Sequence, residues 1–163
     1  MQMADQSEIR RATPNDYDAL ADVMFDAVRH GDSLYTEAQR EAWVPRPRGG
    51  PSWTERLNAQ IVYVAAGSTH LNGFMSLATD GYIDLAFIRP SAQGSGVFRR
   101  LYAAIEAASR NNGVTRLSVH ASLMAQAPFA AMGFSVIKQE TVEVGGQFLD
   151  RFEMEKHLID SLK

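Results

Sequence analysis

The chain has 163 residues, 45% of them hydrophobic, a formal net charge of −3 and no cysteine. A chain of this length and composition buries a substantial core as one globular domain. The small negative charge and the lack of a long basic run argue against nucleic acid as a main partner. The lack of cysteine excludes disulfides, thiolate metal ligands and a cysteine nucleophile. The polar start of the chain does not have the apolar core of a signal peptide, and no apolar run is long enough to span a bilayer. We therefore expect a cytoplasmic protein without a membrane partner.

The first third of the chain is predicted to be mostly helical after a short strand at residues 8–12. Thr13 suits a helix N-terminus because proline and aspartate follow it in the first turn. Thr36 with Gln39, and Ser52 with a glutamate three residues later, each predict a capping box. The predicted helices cover residues 13–30, 35–44 and 52–59.

The remaining elements predict a mixed sheet. The predicted strands cover residues 61–66, 71–79, 82–88, 116–121, 134–144 and 147–156, with helices opening near Val97 and covering roughly 124–132. Short turns join the first three of these strands into an antiparallel meander, whereas the helix before residue 116 requires a parallel pair. The predicted fold is α+β: a mostly antiparallel central sheet with a parallel pair at its centre, flanked by helices, in a single domain over residues 1–163.

The loop between the strand ending at Ile88 and the helix opening at Val97 is a predicted anion site. Gly94, Ser95 and Gly96 leave the main chain accessible, and the N–H groups at the start of the helix have no partner within it. The helix dipole adds partial positive charge at the same point. The loop therefore suits the pyrophosphate of a nucleotide-like cofactor.

The order of these elements resembles the Gcn5-related N-acetyltransferase (GNAT) family, in particular a small bacterial branch of unassigned substrate. The resemblance rests on the loop Gln93-Gly94-Ser95-Gly96-Val97-Phe98, on Ile88-Arg89-Pro90 before it, and on the segment from Ala121 to Gly133-Phe134. It implies an N-acetyltransferase that moves an acetyl group from acetyl-CoA to a primary amine of a small molecule or peptide.

The resemblance also implies which residues hold acetyl-CoA. The backbone at Phe87 and Ile88 would bind the pantetheine as an added strand. The pyrophosphate would lie against the loop amides, with an arginine near it, and the second motif would supply further contacts. These residues are Gln93, Gly94, Ser95, Gly96, Val97, Phe98 and Arg99 in the loop, and Ser122 and Phe129 in the second motif. Arg99 equally suits a solvated helix face, and Ser122 equally suits a cap of the next helix.

Two positions depart from the family pattern. Phe98 stands where the loop usually ends in glycine or alanine, so at that point binding relies on the main chain. Phe129 stands where many members carry the tyrosine that protonates the departing thiolate, and phenylalanine has no proton to give. A second hypothesis is therefore a catalytically weak domain that binds or senses acyl-CoA. A nucleoside-triphosphate site is poorly supported, because the loop does not end in Gly-Lys-Ser/Thr.

Asp84, His120 and Ser122 are the predicted catalytic residues. Tyr82, Asp84, Ala86 and Ile88 are expected to share one face of their strand, and burial there would raise the pKa of the Asp84 carboxyl towards that of a useful base. His120 would relay a proton through water. For both residues a purely structural role is the alternative.

Aromatic side chains on the early helices are the predicted substrate pocket. Tyr35 and Trp43, with Tyr82 from the sheet, would line it, although core packing is the commoner role for such residues; Trp53 is a further candidate. The four histidines show no metal-ligand spacing, so no metal is expected. The last hairpin offers an edge for a possible homodimer.

Overall fold

The structure is a computed structural model, and it describes residues 7–158. Within these residues, seven strands form one mixed sheet in the order β1-β2-β3-β4-β5-β7-β6. The strands are β1 Glu8–Arg11, β2 Ile61–Ala66, β3 Leu71–Leu77, β4 Tyr82–Ile88, β5 Arg116–Ser122, β6 Ser135–Val144 and β7 Gln147–His157. The helices are α1 Tyr17–His30, α2 Glu37–Trp43, α3 Gly50–Asn58, α4 Val97–Asn111 and α5 Gln126–Ala131.

The predicted α+β fold is confirmed. Neighbouring strands pair antiparallel except at the centre, where β4 and β5 are parallel. One apolar cluster packs α4 and α5 against one face of the sheet through residues such as Leu101 and Phe129. A second cluster packs α1 and α3 against the other face through Leu20 and Leu57. Helices on both faces bury the central strands.

Two helix starts differ from the prediction. Helix α3 begins at Gly50, and Ser52 lies inside it instead of capping it, because Pro51 fits the first turn with its fixed φ. Helix α1 begins at Tyr17, after a short 3₁₀ turn in which the Thr13 amide donates to the Asp16 carboxylate at 2.8 Å. The Thr36–Gln39 capping box of α2 is present as predicted.

Strand β4 contains a bulge at Asp84. On β3, Leu77 pairs with Ile83 and Ser76 pairs with Leu85. Asp84 is therefore an extra residue between the two pairs. The bulge reverses the alternation of side chains. Ile83 and Ala86 pack in the apolar cluster that contains α4 and α5 (the α4 cluster), whereas Leu85 packs in the cluster that contains α1 and α3 (the α1 cluster). The prediction that Tyr82, Asp84, Ala86 and Ile88 share one face is therefore wrong.

Candidate functional site

The parallel strands β4 and β5 are paired only near the start of β4 and separate after that. Strands β4 and β5 pair only at Tyr82 with Ser118 and Ile83 with Val119. Within residues 7–158 no strand pairs with the β5-facing edge of residues 84–88, although their other edge pairs with β3. Such an edge offers backbone donors and acceptors to an extended ligand.

Three adjoining cavities follow this opening. The large cavity, about 340 Å³, lies between β4, β5 and the β6–β7 hairpin. The loop cavity, about 240 Å³, lies against the glycine loop. The bridging cavity, about 120 Å³, shares Phe87 and Ser122 with the large cavity, and Ile88 and Phe98 with the loop cavity. Together they form one groove along β4.

The glycine loop has the geometry of an anion site. Gly94 and Gly96 have φ of 76° and 91°, a left-handed conformation that favours glycine. Gly96 is the N-cap of the 15-residue helix α4 and has no side chain to occupy the free amides of the first turn. The Ser95 hydroxyl donates to the Ala92 carbonyl and stabilises the turn. Gln93, Val97, Phe98 and Arg99 line the loop cavity.

Phe98 and Phe129 pack against each other. Their ring centroids are 5.0 Å apart in an edge-to-face arrangement, and Phe129 meets Phe134 in the same way at 5.1 Å. Phe98 therefore directs its ring into the α4 cluster, which leaves the loop backbone uncovered. Phe129 is 1% exposed and carries no group that exchanges a proton.

Tyr82, His120 and Arg151 line the large cavity, and Glu140 lies behind His120. The Tyr82 hydroxyl and His120 Nδ1 are hydrogen-bonded at 2.8 Å, and His120 Nε2 lies 3.8 Å from Glu140 Oε2. Arg151 Nε donates to the same Glu140 oxygen at 2.6 Å and thereby lowers the pKa of the Glu140 carboxyl. Burial, followed by the nearby Asp84 charge, raises the pKa of the Tyr82 phenol. Tyr82 and His120 thus form a hydrogen-bonded pair backed by a carboxylate.

Asp84 is held by two neighbours. Arg56 of α3 donates to both carboxylate oxygens, at 2.7 and 3.0 Å, and the Gln60 amide donates at 2.8 Å. Burial acts to raise the pKa of the Asp84 carboxyl, but the hydrogen bonds from Arg56 and Gln60, together with the Arg56 charge, hold it below its ordinary value. The expectation of a raised pKa is wrong, because the ion pair outweighs the burial.

The Asp84→Asn substitution is expected to cost about 1 kcal/mol of unfolding free energy at pH 7. The folded-state pKa is lowered, so the stabilisation is complete above the unfolded-state value of about 3.9 and is lost as the pH falls through the folded-state value. Urea unfolding from pH 7 to pH 2 should therefore show a difference that closes in acid. Asp22→Asn, at an exposed position of α1, is the matched control. A difference of constant size down to pH 2 would contradict this account.

The three predicted pocket residues line the large cavity together. Tyr35, Trp43 and Tyr82 all face it, and the rings of Tyr35 and Trp43 meet edge to face at 5.9 Å. The Tyr35 hydroxyl donates to the Asp150 carbonyl and accepts from the Leu123 amide, and burial raises the pKa of this phenol. The Tyr35 hydroxyl therefore links this wall of the cavity to β7 through a hydrogen bond.

Trp53 lies elsewhere, in the α1 cluster. It is 3% exposed, and its Nε1 donates to the Tyr17 carbonyl at 2.8 Å.

Ser122 lines both the large and the bridging cavity, and its hydroxyl accepts from the Ala125 amide at 3.2 Å. This bond stabilises the turn before α5, which is a local structural role like the cap considered from the sequence.

The structure adds residues that the sequence did not single out. Arg48, Arg56 and Arg151 line the large cavity, and Glu140 lies behind His120. His120, Glu140 and Glu153 bring their ligand atoms within 4.8 Å of one another. Both carboxylates already face cations: Arg151 and Lys138 contact Glu140, and Lys138 contacts Glu153. The cluster is therefore an ion-pair network beside the cavity.

Known proteins resemble this chain in sequence and in fold. Residues 32–158 match the family described as "Acetyltransferase (GNAT) domain". The chain is 30% identical over 148 residues to the "Uncharacterized N-acetyltransferase YafP" of Escherichia coli strain K12, covering 90% of this chain and 93% of that protein.

Solved structures show the same fold. A GCN5-related N-acetyltransferase from Rhodopseudomonas palustris superposes with a TM-score of 0.86 at 27% identity, covering 97% of this chain and 99% of that one. The putative acetyltransferase yncA from Salmonella typhimurium, solved with its cofactor acetyl-CoA, superposes with a TM-score of 0.70 at 20% identity, covering 95% of both chains.

The chain belongs to the GNAT acetyltransferase family. It is an N-acetyltransferase. Within residues 7–158, each helix is too short or too polar to cross a lipid bilayer.

Proposed function

We propose that this enzyme transfers the acetyl group of acetyl-CoA to a primary amine of a small molecule or peptide. The observation that carries the proposal is the edge of residues 84–88, which no strand in the described part of the chain covers and which continues into the glycine loop along one groove. The loop end of the groove is suited to phosphate and the other end to an amine.

We also propose a single acetyltransferase domain, since one continuous sheet joins β1 to β6.

The residues of the groove fit acetyl-CoA in three parts. The amides from Gly94 to Phe98 would hold the pyrophosphate, with Gln93 and Arg99 beside them. The backbone of Phe87 and Ile88 would hold the pantetheine as an added strand. Ser122 and the ring of Phe129 would border the thioester, since both line the large cavity next to β4. A backbone N–H of β4 facing the thioester oxygen would stabilise the charge that develops on it.

The proton of the attacking amine needs a path away from the nitrogen. As the C–N bond forms, the amine proton passes to the Tyr82 hydroxyl, and the hydroxyl proton passes to His120 Nδ1 over their 2.8 Å hydrogen bond. The imidazolium that results lies 3.8 Å from the Glu140 carboxylate, which stabilises its charge. In this proposal Asp84 positions Arg56 and does not act as the base, because its own pKa is lowered.

The C–S bond then breaks, and the sulfur departs as a thiolate. Phe129 cannot protonate it, and the Tyr35 hydroxyl is occupied by backbone partners. Water in the open groove supplies that proton. The same absence of a tyrosine at Phe129 favours the second candidate, a catalytically weak domain that binds or senses acyl-CoA.

Thiol release tests the function. The protein is incubated with acetyl-CoA and a panel of amines, polyamines, aminoglycosides and peptides, and free CoA and the acetylated product are measured. We expect CoA release that depends on the amine, with the product acetylated at a primary amine. Calorimetric binding of acetyl-CoA without turnover on any amine would support the sensing domain. No binding of acetyl-CoA would contradict both candidates.

A homodimer is a further proposal, because β6 is an edge strand with Val136 and Ile137 each 44% exposed. Sedimentation at micromolar concentration would show whether the chain is monomeric.

A further inference from the structure

We infer that the acceptor carries a carboxylate as well as its amine, and that Arg48 binds this carboxylate. The inference rests on the proposed function and names the class of substrate that the large cavity takes. Its basis is the Arg48 guanidinium in the cavity wall, which has no carboxylate partner among residues 7–158, whereas the neighbouring arginines Arg56 and Arg151 each have one.

Three arginines, Arg48, Arg56 and Arg151, line the large cavity. Among residues 7–158, Asp84 is the one acidic residue that lines it. Arg56 is neutralised by Asp84, and Arg151 by Glu140. The guanidinium groups of both are therefore committed to carboxylates of this chain.

Arg48 differs from these two residues. Its Nη2 donates to the Trp43 carbonyl at 3.1 Å, and within residues 7–158 no carboxylate lies within ion-pair distance of it. Burial, followed by repulsion from Arg56, lowers the pKa of the Arg48 guanidinium. A partly buried guanidinium has five N–H donors, and leaving most of them without an anion is costly. A bound carboxylate would accept two of these donors side by side.

The phosphates of acetyl-CoA do not meet this need. The glycine loop follows the end of β4 at Ile88, and Arg48 does not line the loop cavity. The Arg56–Asp84 pair beside Arg48 lies four residues earlier on β4, which is about 13 Å along a strand. Arg48 therefore faces the acceptor end of the groove, together with Tyr82 and His120.

The rest of the wall limits the acceptor further. Trp43 and Tyr35 form an aromatic side, and Val142, Val144 and Leu149 of the β6–β7 hairpin form an aliphatic side. An amino carboxylate with an apolar body would place its carboxylate on Arg48, its body between these sides and its amine towards Tyr82 and His120.

Matched acceptor pairs test the inference. Apolar amino carboxylates, for example phenylalanine, are compared with their carboxamides in the thiol-release assay. We expect kcat/KM to be about ten- to a hundredfold higher for the carboxylates, a difference that Arg48→Gln removes chiefly through KM. Arg48→Lys should retain part of it, because lysine keeps the charge and loses the paired donors. Arg46→Gln, an exposed arginine of the same loop, is the control that should retain all of it.

Two readouts separate this inference from the proposed function. Arg48→Gln should bind acetyl-CoA as the wild type does, and its loss of activity should be much larger on the carboxylates than on the carboxamides. Weaker acetyl-CoA binding, or equal preference for carboxylates and carboxamides in the wild type, would overturn the inference while the transferase function stands. If no amine is acetylated, calorimetry with benzoate in the presence of CoA tests the site itself. Binding that Arg48→Gln abolishes supports it, and no binding to the wild type contradicts it.

Discussion

His120→Ala is expected to lower kcat by about a hundredfold or more without changing the affinity for acetyl-CoA. The imidazole is the acceptor at the end of the proposed proton path, and the Glu140 carboxylate 3.8 Å away stabilises it only when it is charged. Without the ring, the Tyr82 hydroxyl has no group to take its proton. Steady-state kinetics with a turned-over amine measure kcat, and calorimetry measures the acetyl-CoA affinity.

The same relay predicts how Tyr82 behaves. Tyr82→Phe removes the hydroxyl that links the amine to His120 Nδ1, so kcat should fall in the same direction. Because both residues serve one transfer, the double variant should lose little more than the worse single variant. His70→Ala, in an exposed turn away from the groove, is the matched control and should keep the wild-type rate. An unchanged kcat in His120→Ala would remove His120 from the mechanism.

Gly96→Val is the second large effect that we expect, and it falls on acetyl-CoA binding. At φ 91° a β-branched residue is strained, and its side chain would cover the amides at the start of α4. We expect the Kd for acetyl-CoA to rise by about tenfold to a hundredfold, since hydrogen bonds to a charged pyrophosphate are lost. Isothermal titration calorimetry with acetyl-CoA measures this change.

Gly146→Val separates this effect from backbone strain. Gly146 has φ of 82° in the turn between β6 and β7, and a Cβ there meets nothing within 4 Å, as is also true at Gly96. Both substitutions should cost on the order of 1–2 kcal/mol of unfolding free energy. Only Gly96→Val should weaken acetyl-CoA binding. Equal affinities in the two variants would mean that the loop does not hold the cofactor.

Local patterns explain why much of the fold could be predicted from the sequence. The Gly145-Gly146 turn, the short connections between β2, β3 and β4, and the glycines before α4 each act over a few residues. They define the meander, the last hairpin and the anion loop without reference to distant contacts. The order of these elements along the chain in turn carries the resemblance to the GNAT family.

The bulge at Asp84 shows where the local pattern fails. Alternation assumes an unbroken ladder, and the extra residue is visible only once β3 pairs with β4. The same applies to the pKa of Asp84. Its sequence neighbours are apolar, but the side chain that holds it, Arg56, arrives from α3 and is 28 residues away in the chain. The burial of Asp84 could be predicted from its apolar neighbours in sequence, whereas its ion pair with Arg56 could not.

Glu140, Arg48 and Arg151, at or behind the wall of the large cavity, were missed for a similar reason. Glu140 and Arg151 lie among other polar residues on β6 and β7, which is typical of a solvent-facing hairpin. Their position beside His120 depends on β7 pairing with β5. Arg48 stands in a loop rich in proline and glycine, and nothing nearby in the sequence marks it as part of a site.

A crystal structure of the protein with acetyl-CoA would show whether the groove along β4 holds the cofactor. We expect pyrophosphate oxygens within hydrogen-bond distance of the amides from Gly94 to Phe98, and pantetheine alongside residues 84–88 of β4. We expect the thioester between β4 and β5, beside Ser122 and facing the cavity that holds Tyr82 and His120. If acetyl-CoA binds on another surface and leaves the edge of β4 open, the proposed cofactor site is wrong.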